Sequence, residues 1–275
     1  MINRRRCRAL RYKGHSIGQI AKRLKLSEST VHWHVCDIHL TRAQRWQLRL
    51  QKRLLMAQVN AKRRGISIRP QVFRTPDWSP ALVHLVAHLN FDGRIDRYGC
   101  HYYNRSFSQV VHVKRLLQDL LGIQAKLKRR NNGIWTVRFY NVEVAAWLGQ
   151  KERELLTVVS QQGGWQPQWL QALFDDEGHV HVAGHTRRVR ASQDDPKVLQ
   201  RAHEFLRTLG IQSRIDQAAQ AVEITGRDNL TLFRDRINFS PHIYINPARK
   251  NGLVKQLVEK RTMLAFALDS YKLAL

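Results

Sequence analysis

Leu85-Val-Ala-His-Leu-Asn-Phe-Asp92-Gly93 and Leu170-Gln-Ala-Leu-Phe-Asp-Asp-Glu177-Gly178 lie 85 residues apart and read alike. Each sits in a longer stretch that opens on Trp and Pro: Trp78 with Pro80 in the first, Trp165 with Pro167 in the second. Pro suits the first turn of a helix, and an acidic residue followed by Gly suits its end. The spacing therefore predicts two apolar helices, each closed by a carboxylate. Two such carboxylates, on helices packed side by side, can hold divalent metal over a phosphodiester.

Working outward, the repeat extends past both helices. After Gly93 come a strand-like stretch at 94–98, another at about 101–107, and a helix ending Leu120-Leu-Gly-Ile-Gln-Ala-Lys126. After Gly178 the order recurs: 179–182, then 186–191, then a helix ending Thr208-Leu-Gly-Ile-Gln-Ser-Arg214. Two more strands follow in each copy, at about 123–140 and 211–226, and then helical stretches at about 142–160 and 228–238. The predicted class is α+β, a tandem of helix-strand-strand-helix-strand-strand-helix units. Alternation along the strands turns Ile95, Val180 and Val182 inward. It leaves Arg94, Asp96, His179 and His181 on the other face, with Lys126, Lys128, Arg138, Arg187, Arg188 and Arg190 adding positive charge. Such a face suits a DNA groove, although a merely solvated polar surface has the same pattern.

The 275 residues carry 47 Lys and Arg against 21 Asp and Glu, a formal net charge of +26. A chain this basic points to a polyanionic partner, with nucleic acid ahead of a membrane surface. An apolar content of 43% is enough for an ordinary core and excludes a disordered chain. No run of 18 apolar residues and no signal peptide is visible, so the expected location is the cytoplasm (nucleoid-associated) or an organelle, not the secretory route. Three scattered cysteines argue against a disulfide framework. The run His32-Trp-His34-Val-Cys36 offers zinc-type ligands but has no second pair at zinc spacing.

Charge is densest at the start. Residues 1–80 hold 19 basic and 3 acidic residues, a balance of +16, against 28 and 18 in the rest, a balance of +10. Within that third, Ser16 is placed to cap a short helix with Ile20, Ala21 and Leu24 on its inner face, and Ser27 to cap a second with Val31 and Val35 inside. This resembles a helix-turn-helix, with Ser29, Thr30, His32 and Trp33 turned outward to a major groove. Four segments result: a small all-α module at 1–40, a basic helix and linker at 41–77 (extended over 65–79), and the two repeats at 78–160 and 161–275. The last repeat is expected to end in a helix over 251–273.

The paired nonapeptides resemble the LAGLIDADG motif of homing endonucleases, and the resemblance covers about residues 78–260. It implies two helices packed at a pseudo-two-fold axis and saddle-shaped sheets gripping a long asymmetric double-stranded DNA site. It further implies Asp92 and Glu177 as catalytic carboxylates binding Mg²⁺ or Mn²⁺. Gly93 and Gly178 are expected to end the helices as left-handed caps. The resemblance also suggests a lysine near the centre, for which Lys250 and Lys151 are candidates, either of which could equally be a surface residue. Val86, Ala87, Gln171 and Ala172 stand where the family has small seam residues, which suggests a wider helix spacing. His88 takes a usually apolar position and reads as a hydrogen-bonded interface residue. The implied activity is site-specific double-strand cleavage by a monomer. The alternatives are a non-cleaving regulator of the WhiA type and an intron maturase with intron RNA as a further partner.

Overall fold

A computed structural model describes residues 2–67, 73–245 and 256–271. The chain divides into two compact units, Met1–Gln71 and Val72–Leu275.

In the first unit, α1 (Ile2–Tyr12), α2 (Ile17–Leu24) and α3 (Glu28–Val35) close around Cys7, Ile20, Val31 and Val35. Ser16 and Gln19 form a reciprocal capping box at the start of α2. Lys25 takes the left-handed conformation that stops that helix (φ 53°). Ser27 accepts the Thr30 N–H at the start of α3. Ser29, Thr30, His32 and Trp33 are all exposed. A single long helix, α4 (Arg42–Ser67), follows. It runs into the segment expected to be an extended linker, because Gly65 in a basic helical run is not enough to stop it. Residues 68–72 of that segment lie outside the described residues.

The second unit is a duplication. The first copy contains α5 (Pro80–Phe91), β1 (Gly93–Asp96), β2 (Gly99–Asn104), α6 (Phe107–Leu121), β3 (Lys126–Arg129), β4 (Trp135–Tyr140) and α7 (Val142–Gln161). The second contains α8 (Gln166–Glu177), β5 (Gly178–Ala183), β6 (Thr186–Ser192), α9 (Pro196–Thr208), β7 (Arg214–Asp216), β8 (Ala221–Thr225) and α10 (Arg227–Arg236). Both sheets are antiparallel with the same order, β1-β2-β4-β3 and β5-β6-β8-β7. The repeated Leu-Gly-Ile has a structural cause. Gly122 (φ 71°) and Gly210 (φ 72°) end α6 and α9 in the left-handed region, and the next residue, Ile123 or Ile211, is buried and bonds back to Leu117 O or Leu206 O.

α5 and α8 pack along one another at the centre. Every residue of α5 from Leu82 to Leu89 is buried, since α6, α7 and β1 cover the sides that α8 leaves. That explains why the helix is apolar nearly all round. Phe91 and Trp169 meet edge to face across the seam, ring centroids 5.4 Å apart. Gln171 of α8 donates to the Ile237 carbonyl at 3.0 Å.

The C-terminal helix is shorter than the sequence suggests. Residues 256–259 run extended, with Glu259 bridging Tyr244, and α11 spans Lys260–Asp269. Leu253 and Val254 lie outside the described residues.

Gly93 and Gly178 are required for a reason other than the one expected. Neither has a positive φ. Instead the last turn of each helix backs onto the glycine: a Cβ on Gly93 would lie 2.3 Å from Leu89 O, and one on Gly178 2.3 Å from Phe174 O. Gly178→Ala should therefore lower stability by about 1–3 kcal/mol, the range of overpacking strain. Urea denaturation followed by tryptophan fluorescence measures this, and a wild-type midpoint would contradict the assigned clash.

Candidate active site

Asp92 closes α5 and Glu177 closes α8, and both line one cleft of about 600 Å³. Asp175, Asp176, Asn104 and Lys260 line it too. His179 and His181, from the polar face of β5, border the same cleft, so the sheet surface runs into the carboxylate site.

The acids differ in their support. Asp92 is half-buried, and its carboxylate accepts from Asn104 Nδ2 at 2.7 Å. Burial first, and the neighbouring Asp176 second, push its pKa up to about 7. Asp176 has no exposed side-chain surface. It accepts from the Tyr102 hydroxyl, from Gln109 Nε2 at 2.7 Å, and lies 2.9 Å from His88 Nδ1. Burial raises its pKa to about 7 despite these bonds. Asp175 is buried, accepts the Ser240 N–H at 2.9 Å, and is likewise shifted upward by burial.

Lys260, the first residue of α11, is the cation set among these acids. It is buried, and its Nζ donates to the Asp175 carbonyl at 2.7 Å and to the Phe174 carbonyl at 3.1 Å. It thus caps the last turn of α8 while its charge draws down the pKa of Asp92, Asp175 and Asp176. The two lysines expected from sequence do not have this position. Lys151 lies on α7, 3.5 Å from Glu154, with its Nζ 4.7 Å from the Trp78 ring centroid, and is not among the residues lining the cleft. Lys250 lies outside the described residues.

Beside the acids is a histidine cluster on α5 and α6. His84 Nε2 lies 3.0 Å from His88 Nε2 and 3.2 Å from His112 Nε2. Burial holds all three imidazoles below their ordinary pKa, His88 at about 3 and His112 at about 4, so they are neutral at pH 7. His88 is the hydrogen-bonded interface residue expected. Among the described residues it also belongs to the group whose ligand atoms all lie within 4.8 Å of one another. His32, His34 and Cys36 form no such group.

The sheets supply matching polar rows. In the first, Arg94, His101, Arg138 and Lys126 are successive cross-strand partners. In the second, the equivalent row is His179, Arg190, Glu223 and Arg214. Lys128 shares the face of Lys126. The second row differs because Glu223 is buried beneath three guanidinium groups: Arg214 at 2.7 Å, Arg188 at 2.9 Å and Arg190 at 3.5 Å. Three cations on one acid leave the face positive and fix the arginine directions. Arg187 does not belong to this face. Strand alternation puts it opposite Arg188, where its Nε donates to Ser270 Oγ at 2.8 Å and its guanidinium lies over Tyr271.

Residues 165–238 match the family described as "LAGLIDADG-like domain". The matched residues fall in the second copy, and the first copy repeats the same order of elements. Among solved structures, a substituted form of I-DmoI in complex with its target DNA in the presence of Mg is 12% identical, covering 57% of this chain and 95% of that one, at a TM-score of 0.46. Mesophilic variants of the homing endonuclease I-DmoI are 13% identical, covering 60% and 95%, at 0.46. The N-terminal LAGLIDADG domain of DUF199/WhiA is 14% identical, covering 61% and 88%, at 0.47. No protein of curated function matches the chain.

The raised pKa of Asp92 fixes the sign of a pH effect. The folded protein holds this proton from the ordinary range near pH 4 up to about 7, so the stabilisation is lost as pH rises through 7. Asp92→Asn, unable to ionise, should melt above wild type at pH 8 in chelator. The gain should shrink toward zero at pH 5. Thermal melts at both pH values check this, and a destabilised variant at pH 8 would contradict the burial of that charge.

Proposed function

We propose that this chain is a site-specific DNA endonuclease that makes double-strand breaks, with Asp92 and Glu177 as its metal-binding carboxylates. The observation that carries the reading is the meeting of these two acids, from the ends of duplicated helices, in one cleft bordered by the polar sheet face. A duplicated site suits a duplex, one carboxylate for each strand. Both copies lie in one chain, so a monomer suffices and the site read can be asymmetric.

The residues present fit a hard divalent cation. Oxygen donors converge in an open cleft, and the burial that raises Asp92, with the Asp176 charge second, is what a cation would offset. Asp92 and Glu177 would hold Mg²⁺ or Mn²⁺, which when bound supplies an activated water and stabilises the leaving oxygen. The chain's own residues do the rest. Asn104 orients Asp92 through its amide. Asp176, fixed by three partners, sets the spacing between α5 and α8. Lys260 holds the end of α8, and with it Glu177, in place. The rows through Arg94, Arg138, Lys126 and Lys128, and through His179, Arg188 and Arg190, lie along the duplex. In the first unit, Ser29, Thr30 and His32 on exposed α3 read a further stretch of DNA as a helix-turn-helix.

Cleavage of a randomised DNA library with Mg²⁺ tests the reading. Wild type should give discrete double-strand cuts, and Asp92→Asn and Glu177→Gln should each lower the rate by at least about 10²-fold while binding persists, a loss of the size seen on removing a key charge-stabilising group. Binding without cutting, unchanged in both variants, would leave a regulator in place of an enzyme. In filter binding, Lys128→Gln should lower the slope of log K against log salt by about 1, the share of one phosphate contact. An unchanged slope would remove this sheet face from the interface.

A further inference from the structure

His84, His88 and His112 turn their Nε2 atoms toward one another inside the fold. The nitrogen His84 Nε2 is approached by three polar atoms: His88 Nε2 at 3.0 Å, His112 Nε2 at 3.2 Å and Ser240 Oγ at 3.4 Å. Its other nitrogen, Nδ1, lies 3.1 Å from the Gln168 carbonyl, which can only accept, so Nδ1 carries the hydrogen. Nε2 then presents only an in-plane lone pair, and His88 Nε2, whose Nδ1 faces the Asp176 carboxylate, turns a second lone pair toward it and not a hydrogen. His88 is arranged likewise, with Nδ1 against the Asp176 carboxylate and Nε2 turned into the cluster.

We propose that His84, His88 and His112 bind a structural Zn²⁺ ion through their Nε2 atoms, with Ser240 Oγ, 3.4 Å from His84 Nε2, as a further oxygen beside it. A cation can be shared by lone pairs where a proton cannot. Tetrahedral zinc with bonds of about 2.0–2.1 Å requires ligand nitrogens about 3.3 Å apart. The observed 3.0 and 3.2 Å separations are close to that. The outer nitrogens have the partners such ligands need: a carboxylate on His88 and a backbone carbonyl on His84, each fixing a tautomer and ring direction. Three imidazoles suit a borderline-soft ion, unlike the oxygen-rich cleft beside them. The ion ties α5 to α6, and through His88 and Asp176 to α8. It is therefore a rivet behind the carboxylate site, and it does not depend on whether that site cuts DNA.

The full chain, stripped with chelator and titrated with Co²⁺, tests this. One equivalent should produce the visible bands of tetrahedral cobalt, Zn²⁺ should abolish them, and Zn²⁺ should raise the melting temperature. His112→Gln, at the half-buried edge of the cluster, should weaken cobalt binding at least tenfold. The double variant Asp92→Asn/Glu177→Gln should keep the bands, which separates this site from the cleft. Absence of the bands from wild type that melts cooperatively would overturn the proposal. So would bands that survive His112→Gln but vanish in the double carboxylate variant. Should His112→Gln fail to fold, the wild-type stoichiometry and the double variant still decide.

Discussion

Burial of charge at the α5–α8 seam is the constraint on which the rest of the second unit depends. Packing α5 along α8 brings Asp92, Asp175 and Asp176 into low-dielectric surroundings. Carboxylates so placed are costly unless they are protonated, bonded or faced by a cation. The fold answers in three ways. Tyr102, Gln109 and His88 surround Asp176, Asn104 meets Asp92, and Lys260 reaches in from α11. What remains uncompensated opens into the cleft, where the proposed cations act.

The two copies divide the work unevenly. Sheet order and the Leu-Gly-Ile stop are the same in both. The polar rows are not: where the first sheet has Arg138, the second has buried Glu223 gripping three arginines. In the first row Arg138 stands between His101 and Lys126, whereas the second is an arginine cluster braced by an acid. A protein reading an asymmetric site benefits from two such unlike halves on one scaffold.

Much of this was legible in the sequence because it is written in local patterns. The nonapeptides, the Pro openings, the strand alternation and the Leu-Gly-Ile match are short-range, and they predict the duplication and the α+β class. Asp92 and Glu177 follow from their motif positions. The supporting shell was not legible, since Tyr102, Gln109 and His112 reach the seam only through the rotation of β2 and α6 against α5. His84 and His88 stand one helical turn apart in the sequence, but His112 joins them only through packing. Lys260 stands 83 residues beyond Glu177, and only the extended run before α11 brings it back. Arg187 should have been set apart from Arg188 and Arg190 by alternation alone, and the glycine requirement was a matter of space rather than of φ.

The central proposal is that Asp92 and Glu177 together form a divalent-metal site facing DNA. A crystal structure of the full chain with a cleavable duplex and Mn²⁺, read by anomalous scattering, tests it most directly. The account predicts manganese within bonding distance of both carboxylates and of backbone phosphates. Manganese confined elsewhere, or duplex seated away from this cleft, would contradict it.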